Sequence, residues 1–176
     1  SLAMEREPSF FGLGEEPGKL IPIVARKKAS ANDLAGICDC HIMSVHLGGE
    51  RMEACYLGGL RLPAKYRGRV GILRGGFQAI PRLIPETKTA PLQFTSIAGG
   101  NRRARRILET GVKGMPQYSL LGPMETFVLR AARGRKHGLL ERAQARDVEQ
   151  LVSFYNAAAA NTELSPVLDA EWLNRR

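Results

Sequence analysis

The sequence lacks any apolar run of about 18 residues, the length needed to span a bilayer. Its first seven residues also lack the basic and apolar regions of a secretion signal. The three cysteines are odd in number and lie between residues 38 and 55, a pattern that argues against a disulfide framework. We therefore expect a cytoplasmic protein with free thiols and no membrane partner.

Acidic and aromatic residues are both scarce. There are 17 Asp and Glu against 26 Lys and Arg, which gives a net charge of +9 and attracts polyanions such as nucleic acid, anionic lipid or a phosphorylated cofactor. Aromatic residues make up only 6% of the chain, and few of them lie in its basic stretches. Because recognition of single strands uses aromatic stacking, nucleic acid is not the partner we expect. A basic nucleic-acid-binding protein stays as an alternative that the charge alone supports.

Turn signals divide the first half of the chain into three strand-like segments. Leu20 to Ala25 alternates apolar residues around Pro22, which is typical of an edge strand because proline lacks the amide donor. Leu34 to Leu47 and Met52 to Leu62 are separated by Gly48-Gly49, a pair that suits a tight turn. The three segments predict an antiparallel meander.

Helical spacing begins after the third strand. Val70 to Ile80 has apolar residues at helical spacing, although glycine and proline lower its helix propensity. A short strand is predicted over Leu92 to Ile97, and helices over Arg102 to Thr110 and Asp147 to Ala160. Met124 to Leu129 predicts a further strand. These elements predict an α/β fold of the α+β type.

The loop between the third strand and the first helix is strongly basic. Its sequence is Tyr66-Arg67-Gly68-Arg69-Val70-Gly71, and no acidic residue lies between Arg61 and Gln78. The start of a helix presents unpaired N–H groups and about half a positive charge, and glycine lets phosphate oxygens approach the backbone. The loop therefore predicts a phosphate-binding element, with a solvated charged face as the alternative.

Two segments resemble the GNAT family of N-acetyltransferases. Leu60 to Arg69 looks like the fourth strand of that fold and its following loop, and Thr95 to Ala104 resembles the fifth strand, its loop and the asparagine-headed helix. The likeness covers roughly residues 20 to 130. It implies a GNAT-like mixed, mostly antiparallel central sheet that is flanked by helices.

The resemblance implies an acyl-CoA-dependent N-acyltransferase that uses acetyl-CoA or another acyl-CoA as co-substrate and an amine as acceptor. Backbone groups near Leu60 and Leu62 would bind the thioester carbonyl and the pantetheine arm, and Asn101 would contact the pantetheine. The pyrophosphate would be held by the loop residues Arg67, Gly68, Arg69, Val70, Gly71 and Ile72. No metal is implied.

Three positions depart from the family pattern. Val70 and Ile72 stand where the family has glycine, and Leu108 stands where it has the tyrosine that protonates the leaving thiolate. We predict that Tyr118, from the next segment, takes that catalytic place. The departures keep a second hypothesis open, a non-catalytic CoA-binding domain or the structural half of a tandem acetyltransferase.

Charged side chains near these segments supply further candidates. Glu53, on the third strand, is predicted as a general base acting directly or through water, with an exposed strand carboxylate as the alternative. Four arginines follow Asn101, and they cannot all point one way, so some would flank the cofactor and others would face solvent. They are Arg102, Arg103, Arg105 and Arg106.

Thiols and imidazoles also cluster on adjacent predicted strands. They are Cys38, Cys40, His41, His46 and Cys55. Their spacing fits no standard zinc site, and Cys38 and Cys40 share a strand face with Ile42, which favours packing as buried thiols. We therefore predict no metal site.

The domain organisation follows from the same patterns. Residues 1–130 are predicted to form the acyl-CoA-binding domain, without the first strand and helix of the family, and residues 131–138 a basic linker. Residues 139–176 repeat the pattern of a short strand and an amphipathic helix. This segment predicts either the start of a second GNAT-like repeat or a strand and helix that complete a sheet, in this chain or in a neighbour within a homo-oligomer.

Overall fold

A computed structural model describes residues 18–125 and 141–174 of the chain. The predicted linker at 131–138 lies outside the described residues, and so does most of the strand predicted over Met124 to Leu129. The described residues 124 and 125 adopt no regular structure.

Within the described residues, five strands form one sheet. Strands β1 (Lys19–Lys27), β2 (Ser30–Leu47) and β3 (Glu50–Arg61) are an antiparallel meander, as predicted. Strand β4 (Leu92–Phe94) pairs with β3 in parallel, and β5 (Leu164–Pro166) pairs with β2 antiparallel. The order is β1-β2-β3-β4, and β5 joins the end of β2 that β1 does not reach.

Four α-helices accompany this sheet among the described residues. They are α1 (Val70–Leu83), α2 (Arg102–Glu109), α3 (Val148–Ala159) and α4 (Ala170–Asn174). The predicted helices lie within two residues of α2 and α3, and α1 continues past its predicted end through Pro81. The fold class is therefore confirmed as a mixed, mostly antiparallel sheet flanked by helices.

The main core lies between the sheet and α1. Cys40, Ile42 and Cys55 from the strands pack with Ile80 of α1 and with Ile84, the residue just after this helix, which is only 1% exposed. Burial of this face explains why α1 forms in spite of its glycines, because most helical stability in proteins comes from packing an apolar face.

A β-bulge near the end of β3 changes which residues face α1. Asp39 of β2 lies opposite Gly58, but Ile37 lies opposite Arg61, so β3 has one extra residue between them. Gly59 adopts a φ of 62°, the left-handed conformation that glycine tolerates. Before the bulge Leu57 faces α1, and after it Leu60 takes that side.

The C-terminal segment docks on the β2–β3 end of the sheet. The amide of Val167 donates to the Ser44 carbonyl (2.9 Å), beside the β5–β2 ladder. The side chain of Asn156 on α3 both donates to the carbonyl of Leu168 (2.8 Å) and accepts from its amide (3.0 Å). The assignment of residues 139–176 to a second repeat or to a segment that completes a sheet stays a prediction.

The core contacts of α1 generate a stability prediction. Replacing Ile84 by Ala removes buried methyl groups and leaves a cavity, so the free energy of unfolding should fall by about 2–5 kcal/mol. Leu83→Ala is the matched control, because Leu83 is its neighbour on the helix and 63% exposed, and it should change stability by less than about 0.5 kcal/mol. Urea denaturation measures both values. Equal losses would contradict this assignment of the core.

Candidate active site

Strands β3 and β4 part just before the bulge. They pair only from Ala54 to Tyr56, opposite Leu92 to Phe94. The hydroxyl of Thr95 then donates to the Leu57 carbonyl (2.6 Å), which satisfies one acceptor that the ladder no longer serves. Beyond this point the two strands diverge and leave an opening beside Gly58.

An apolar cavity of about 150 Å³ lies at this opening, on the side of the sheet that faces α1. Sheet residues form its floor, and α1, α2 and Tyr118 form its walls. Of the residues predicted to bind the acyl-CoA, it brings together Leu60, Leu62 and Ile72. Its lining also includes Ile23, Cys38, Leu57, Leu73, Phe77, Ala104, Ile107 and Leu108.

The predicted phosphate loop leads directly into α1. Arg69 is the residue before the helix, which begins at Val70 without a side-chain cap and without an acidic residue in its first turn. The amides of Val70 and Ile72 donate to the carbonyls of Gly68 (3.1 Å) and Arg69 (3.0 Å), and no carboxylate in the first turn competes for the positive end of the helix. Gly68 has a φ of 85°, and the guanidinium of Arg103 lies over it. The positive φ is the reason that the loop favours glycine at this position, because the end of the flexible Arg103 side chain can move aside.

Tyr66 fixes the base of the loop. Its ring is buried, and its hydroxyl donates to a carboxylate oxygen of Asp33 (2.7 Å), while Lys65 donates to the other oxygen (2.5 Å). These hydrogen bonds lower the pKa of Asp33, with that from Lys65 as the main cause. The guanidinium of Arg69 lies 5.4 Å from the centre of the Tyr66 ring, within cation–π distance. Lys65 and Arg69 therefore shape the loop through these contacts.

A second, basic cavity of about 510 Å³ adjoins the start of α1. It is lined by Val70 from the loop and by Arg102, Arg103, Arg106 and Ile107 from α2. Arg105 lies apart from it and pairs with Glu109 on the same helix (3.2 Å). Three of the four arginines therefore line the cavity and one does not. The sequence could not distinguish them, because the direction of each side chain depends on how α2 packs against the loop.

Asn101 has a different local role from the predicted pantetheine contact. It is the residue before α2, and its side-chain oxygen accepts from the amide of Ala104 (3.2 Å). This capping bond satisfies one free amide of the helix. It uses one of the two lone pairs of the side-chain oxygen and fixes the orientation of the amide group.

Tyr118 lies next to Leu108, as the sequence suggested. Its amide donates to the Leu108 carbonyl (3.0 Å), and its ring packs 6.2 Å from that of Phe77 on α1. Both Tyr118 and Leu108 line the apolar cavity. Burial raises the pKa of Tyr118 to about 12, so its hydroxyl stays protonated at neutral pH.

Glu53 lies outside the lining of this cavity. It is exposed on β3 and accepts a hydrogen bond from the Ser44 hydroxyl (2.5 Å). It lies four positions before Leu57, which corresponds to about 13 Å along the strand. The structure therefore brings Tyr118 to the opening and leaves Glu53 at a distance that only a chain of water molecules would bridge.

The cysteines pack inside the sheet–helix core. Cys40 and Cys55 are fully buried free thiols, and their sulfur atoms lie 2.9 Å apart. Hydrogen bonding to Cys55 and burial raise the pKa of Cys40, and burial raises that of Cys38 to about 11. Residues 18–125 and 141–174 contain no group of three His, Cys, Asp or Glu side chains placed to hold a metal ion.

Three polar residues at the opening were missed by the sequence analysis. Asp39 lies beside the bulge, and the hydroxyls of Tyr56 and Ser96 are 2.6 Å apart. Nothing in their local sequence distinguishes them, because the register of β2 on β3 and the path after β4 bring them together. The sequence signal that could have drawn attention here is the pair Gly58-Gly59 inside a strand.

Among the helices of the described segments, none is both long enough and apolar enough to span a bilayer.

Solved structures with a similar fold include three that show the range of the likeness. A mutant protein of Bacillus halodurans has 19% identity and a TM-score of 0.49, covering 63% of this chain and 67% of the other. AAC(6')-Iy, in complex with the bisubstrate analog CoA-S-monomethyl-acetylneamine, has 14% identity and a TM-score of 0.47, covering 64% and 70%. An aminoglycoside acetyltransferase from an uncultured soil metagenomic sample, in complex with trehalose, has 13% identity and a TM-score of 0.43, covering 57% and 61%.

No protein-family model and no curated protein matches the sequence. The structural likenesses are too distant to assign an activity, so the function proposed below rests on the topology and on the geometry of the site.

The loop geometry generates a prediction that uses two glycines. Gly68→Ala should lower the free energy of unfolding by about 1–3 kcal/mol, because alanine is strained at this φ. Gly75→Ala, within α1 and with open space around it, should instead raise it by about 0.5–1 kcal/mol. Chemical denaturation measures both changes, and a stabilising Gly68→Ala would contradict the conformation of the loop.

Proposed function

We propose that this protein is an acyl-CoA-dependent N-acetyltransferase of the GNAT type. The observation that carries the proposal is the position of the β3–β4 opening. It adjoins both an apolar cavity and the uncapped start of α1, where guanidinium groups gather. This combination suits a ligand with a slender, mostly apolar arm at one end and phosphates at the other.

The groups around the opening lie in the order in which the parts of such a ligand would need them. The pyrophosphate would be bound by the amides at the start of α1 and by Arg103, and the phosphate on the adenosine by the arginines of the basic cavity. The pantetheine arm would lie in the apolar cavity between Leu60 and Tyr118. The thioester would then reach the bulge, where β3 no longer pairs with β4 and its backbone N–H groups would polarise the thioester carbonyl.

The proposed reaction is direct transfer from the thioester to an amine. The acceptor enters as an ammonium ion and loses one proton to a base. Its nitrogen forms the amide bond as the carbon–sulfur bond breaks, and the second nitrogen proton passes to the leaving thiolate. The net products are the N-acyl compound, free CoA and one proton.

Tyr118 is the proposed partner of the leaving sulfur. A free thiol has a pKa of about 8.5, whereas burial raises the pKa of Tyr118 to about 12. Complete transfer of the phenol proton to the thiolate is therefore unfavourable. We expect Tyr118 to stabilise the thiolate by a hydrogen bond while the proton comes from the reacting nitrogen. Glu53 would take part as a base only through water.

A second candidate function is CoA binding without turnover, as in the structural half of a tandem acetyltransferase. Two observations favour it. Leu108 puts an apolar side chain in the cavity wall where the family pattern has a phenol, and Glu53 is bound to Ser44 away from the opening. Such a domain would bind CoA and release no thiol with any amine.

The first test is thermal denaturation with acetyl-CoA and with free CoA. A ligand at 100 times its Kd adds about 2.7 kcal/mol, which should raise the Tm of a chain of this length by about 5–10 °C. Arg103→Gln should weaken binding by about 10-fold to 100-fold, because a charge-assisted contact to phosphate is lost. The matched control is Arg105→Gln, because Arg105 pairs with Glu109 outside the basic cavity.

No Tm shift with any CoA compound would contradict the proposed function. A salt-dependent shift with DNA and none with CoA would favour the nucleic-acid alternative instead. A shift with CoA but no thiol release across a panel of amines would favour the non-catalytic domain.

The second test is Tyr118→Phe in a thiol-release assay. Loss of a hydrogen bond to a charged sulfur should lower kcat by about 10-fold to 100-fold and leave the Kd of acetyl-CoA unchanged. Because the pKa of Tyr118 is about 12, its ionisation should produce no fall in rate below pH 10 in the native enzyme. An unchanged kcat would remove Tyr118 from the mechanism.

A further inference from the structure

The apolar cavity extends farther beneath α1 than the pantetheine arm alone requires. Its outer end lies between Leu60 and Tyr118, where the arm is proposed to bind. From there its lining continues across β2 to Ile23 and Ala25 on β1, two strands away from β3. Two strand spacings correspond to about 10 Å. The part of the cavity over β1 and β2 is called the inner end below.

Small residues of the sheet form the floor of the inner end. Ala25 of β1 lies opposite Gly36 of β2, and Ile23 lies opposite Cys38. All four residues line the cavity, and three of them are small. Farther along β2, Ile42 fills the same side of the sheet and belongs to the core. The floor therefore drops away only where the cavity lies.

A glycine of α1 lies above this floor. Ile72, Gly76 and Ile80 follow one another at intervals of four positions, so they share one face of the helix, and all three line the cavity. Outside the backbone of its own helix, a Cβ at Gly76 would meet no atom of the described chain within 4 Å. Glycine weakens a helix interior, and here it also leaves the space beneath the helix unfilled.

The lining of the cavity is uncharged throughout the described chain. The Thr95 hydroxyl is already bonded to the Leu57 carbonyl (2.6 Å), and burial raises the pKa of Cys38 to about 11, so its thiol stays neutral at neutral pH. A charged group at the inner end would lose its hydration without gaining a partner. The occupant that this surface suits is therefore an apolar chain.

We propose that the acyl group carried by CoA is an apolar chain of about four to six carbons, since a dry cavity of about 150 Å³ can hold a six-carbon ring. The inference rests on the proposed function, because the thioester would be presented at Gly58, which lines the same cavity. From this point the chain would pass beneath Gly76 toward Ala25.

An acetyl group would leave the inner end empty. It has one carbon beyond the carbonyl, so the residues over β1 and β2 would make no contact with it, and their dispersion attraction would be lost. The transfer step is the same for either acyl group. The amide bond forms as the carbon–sulfur bond breaks, one nitrogen proton goes to a base, and the other goes to the thiolate.

The test is a calorimetric titration with free CoA, acetyl-CoA and hexanoyl-CoA. Hexanoyl-CoA should bind to the unaltered protein with a Kd about 10-fold to 100-fold lower than that of acetyl-CoA, because four further methylene groups leave water. Gly76→Leu fills the inner end from the helix side. It should reduce this difference to less than about threefold and leave the Kd of free CoA within about twofold of the original value.

Gly75→Leu is the matched control. It makes the same substitution at the next position of α1, which has open space around it and does not line the cavity, so the preference for hexanoyl-CoA should be kept. Ala25→Val narrows the inner end from the sheet side and should also lower the preference. It provides a second test if Gly76→Leu fails to fold.

Two results would overturn the inference and leave the CoA site intact. One is an equal Kd for acetyl-CoA and hexanoyl-CoA in the unaltered protein. The other is a preference for hexanoyl-CoA that both Gly76→Leu and Ala25→Val keep, because the chain would then be bound elsewhere. Absence of binding by every CoA compound would instead overturn the proposed function, and this inference with it.

Discussion

The structure of the site depends on one extra residue in β3. Gly59, at a φ of 62°, interrupts the alternation of the strand, so that Leu57 and Leu60 both face α1 although they lie three positions apart, which in a regular strand would place them on opposite faces. The bulge lies just beyond the last β3–β4 pair, so the strand bends where its partner leaves. An apolar cavity opens at this point on the face that is turned toward α1.

The structure concentrates part of the positive charge of the chain at the start of α1. A surplus of basic residues is a general property of the sequence, but the structure gathers Arg102, Arg103 and Arg106 around the start of α1. There the guanidinium groups lie beside the positive end of the α1 dipole, so two sources of positive potential coincide. Two other basic side chains are paired within the protein, since Lys65 binds Asp33 and Arg105 binds Glu109. Charge composition predicted a polyanionic ligand, and the packing of α2 decides which arginines line the basic cavity.

Predictions from sequence succeeded where the signal was local. The meander, α2 and α3 follow from alternation, turn glycines and helical spacing, and the structure confirms them. Helix α1 forms although Gly75, Gly76 and Pro81 oppose it, because Ile80 and Ile84 are buried against the sheet. The placement of Tyr118 beside Leu108 agrees with the prediction, while its role in catalysis stays a proposal. Glu53 was predicted as a general base because it is a carboxylate on the third strand. Neither its residue type nor its strand indicates its distance from the opening.

The sequence by itself determined the meander of β1, β2 and β3, the basic glycine loop and the main helices, because each depends on residues close together in the chain. Tertiary structure decided which side chains meet. Asp39, Tyr56 and Ser96 lie up to 57 positions apart, and only the β2–β3 register and the parallel β3–β4 pair bring them to one opening. A shift of register by one residue would turn each strand's side chains to the opposite face. The grouping of these polar residues at the opening is therefore a property of strand pairing, which no local pattern in the sequence specifies.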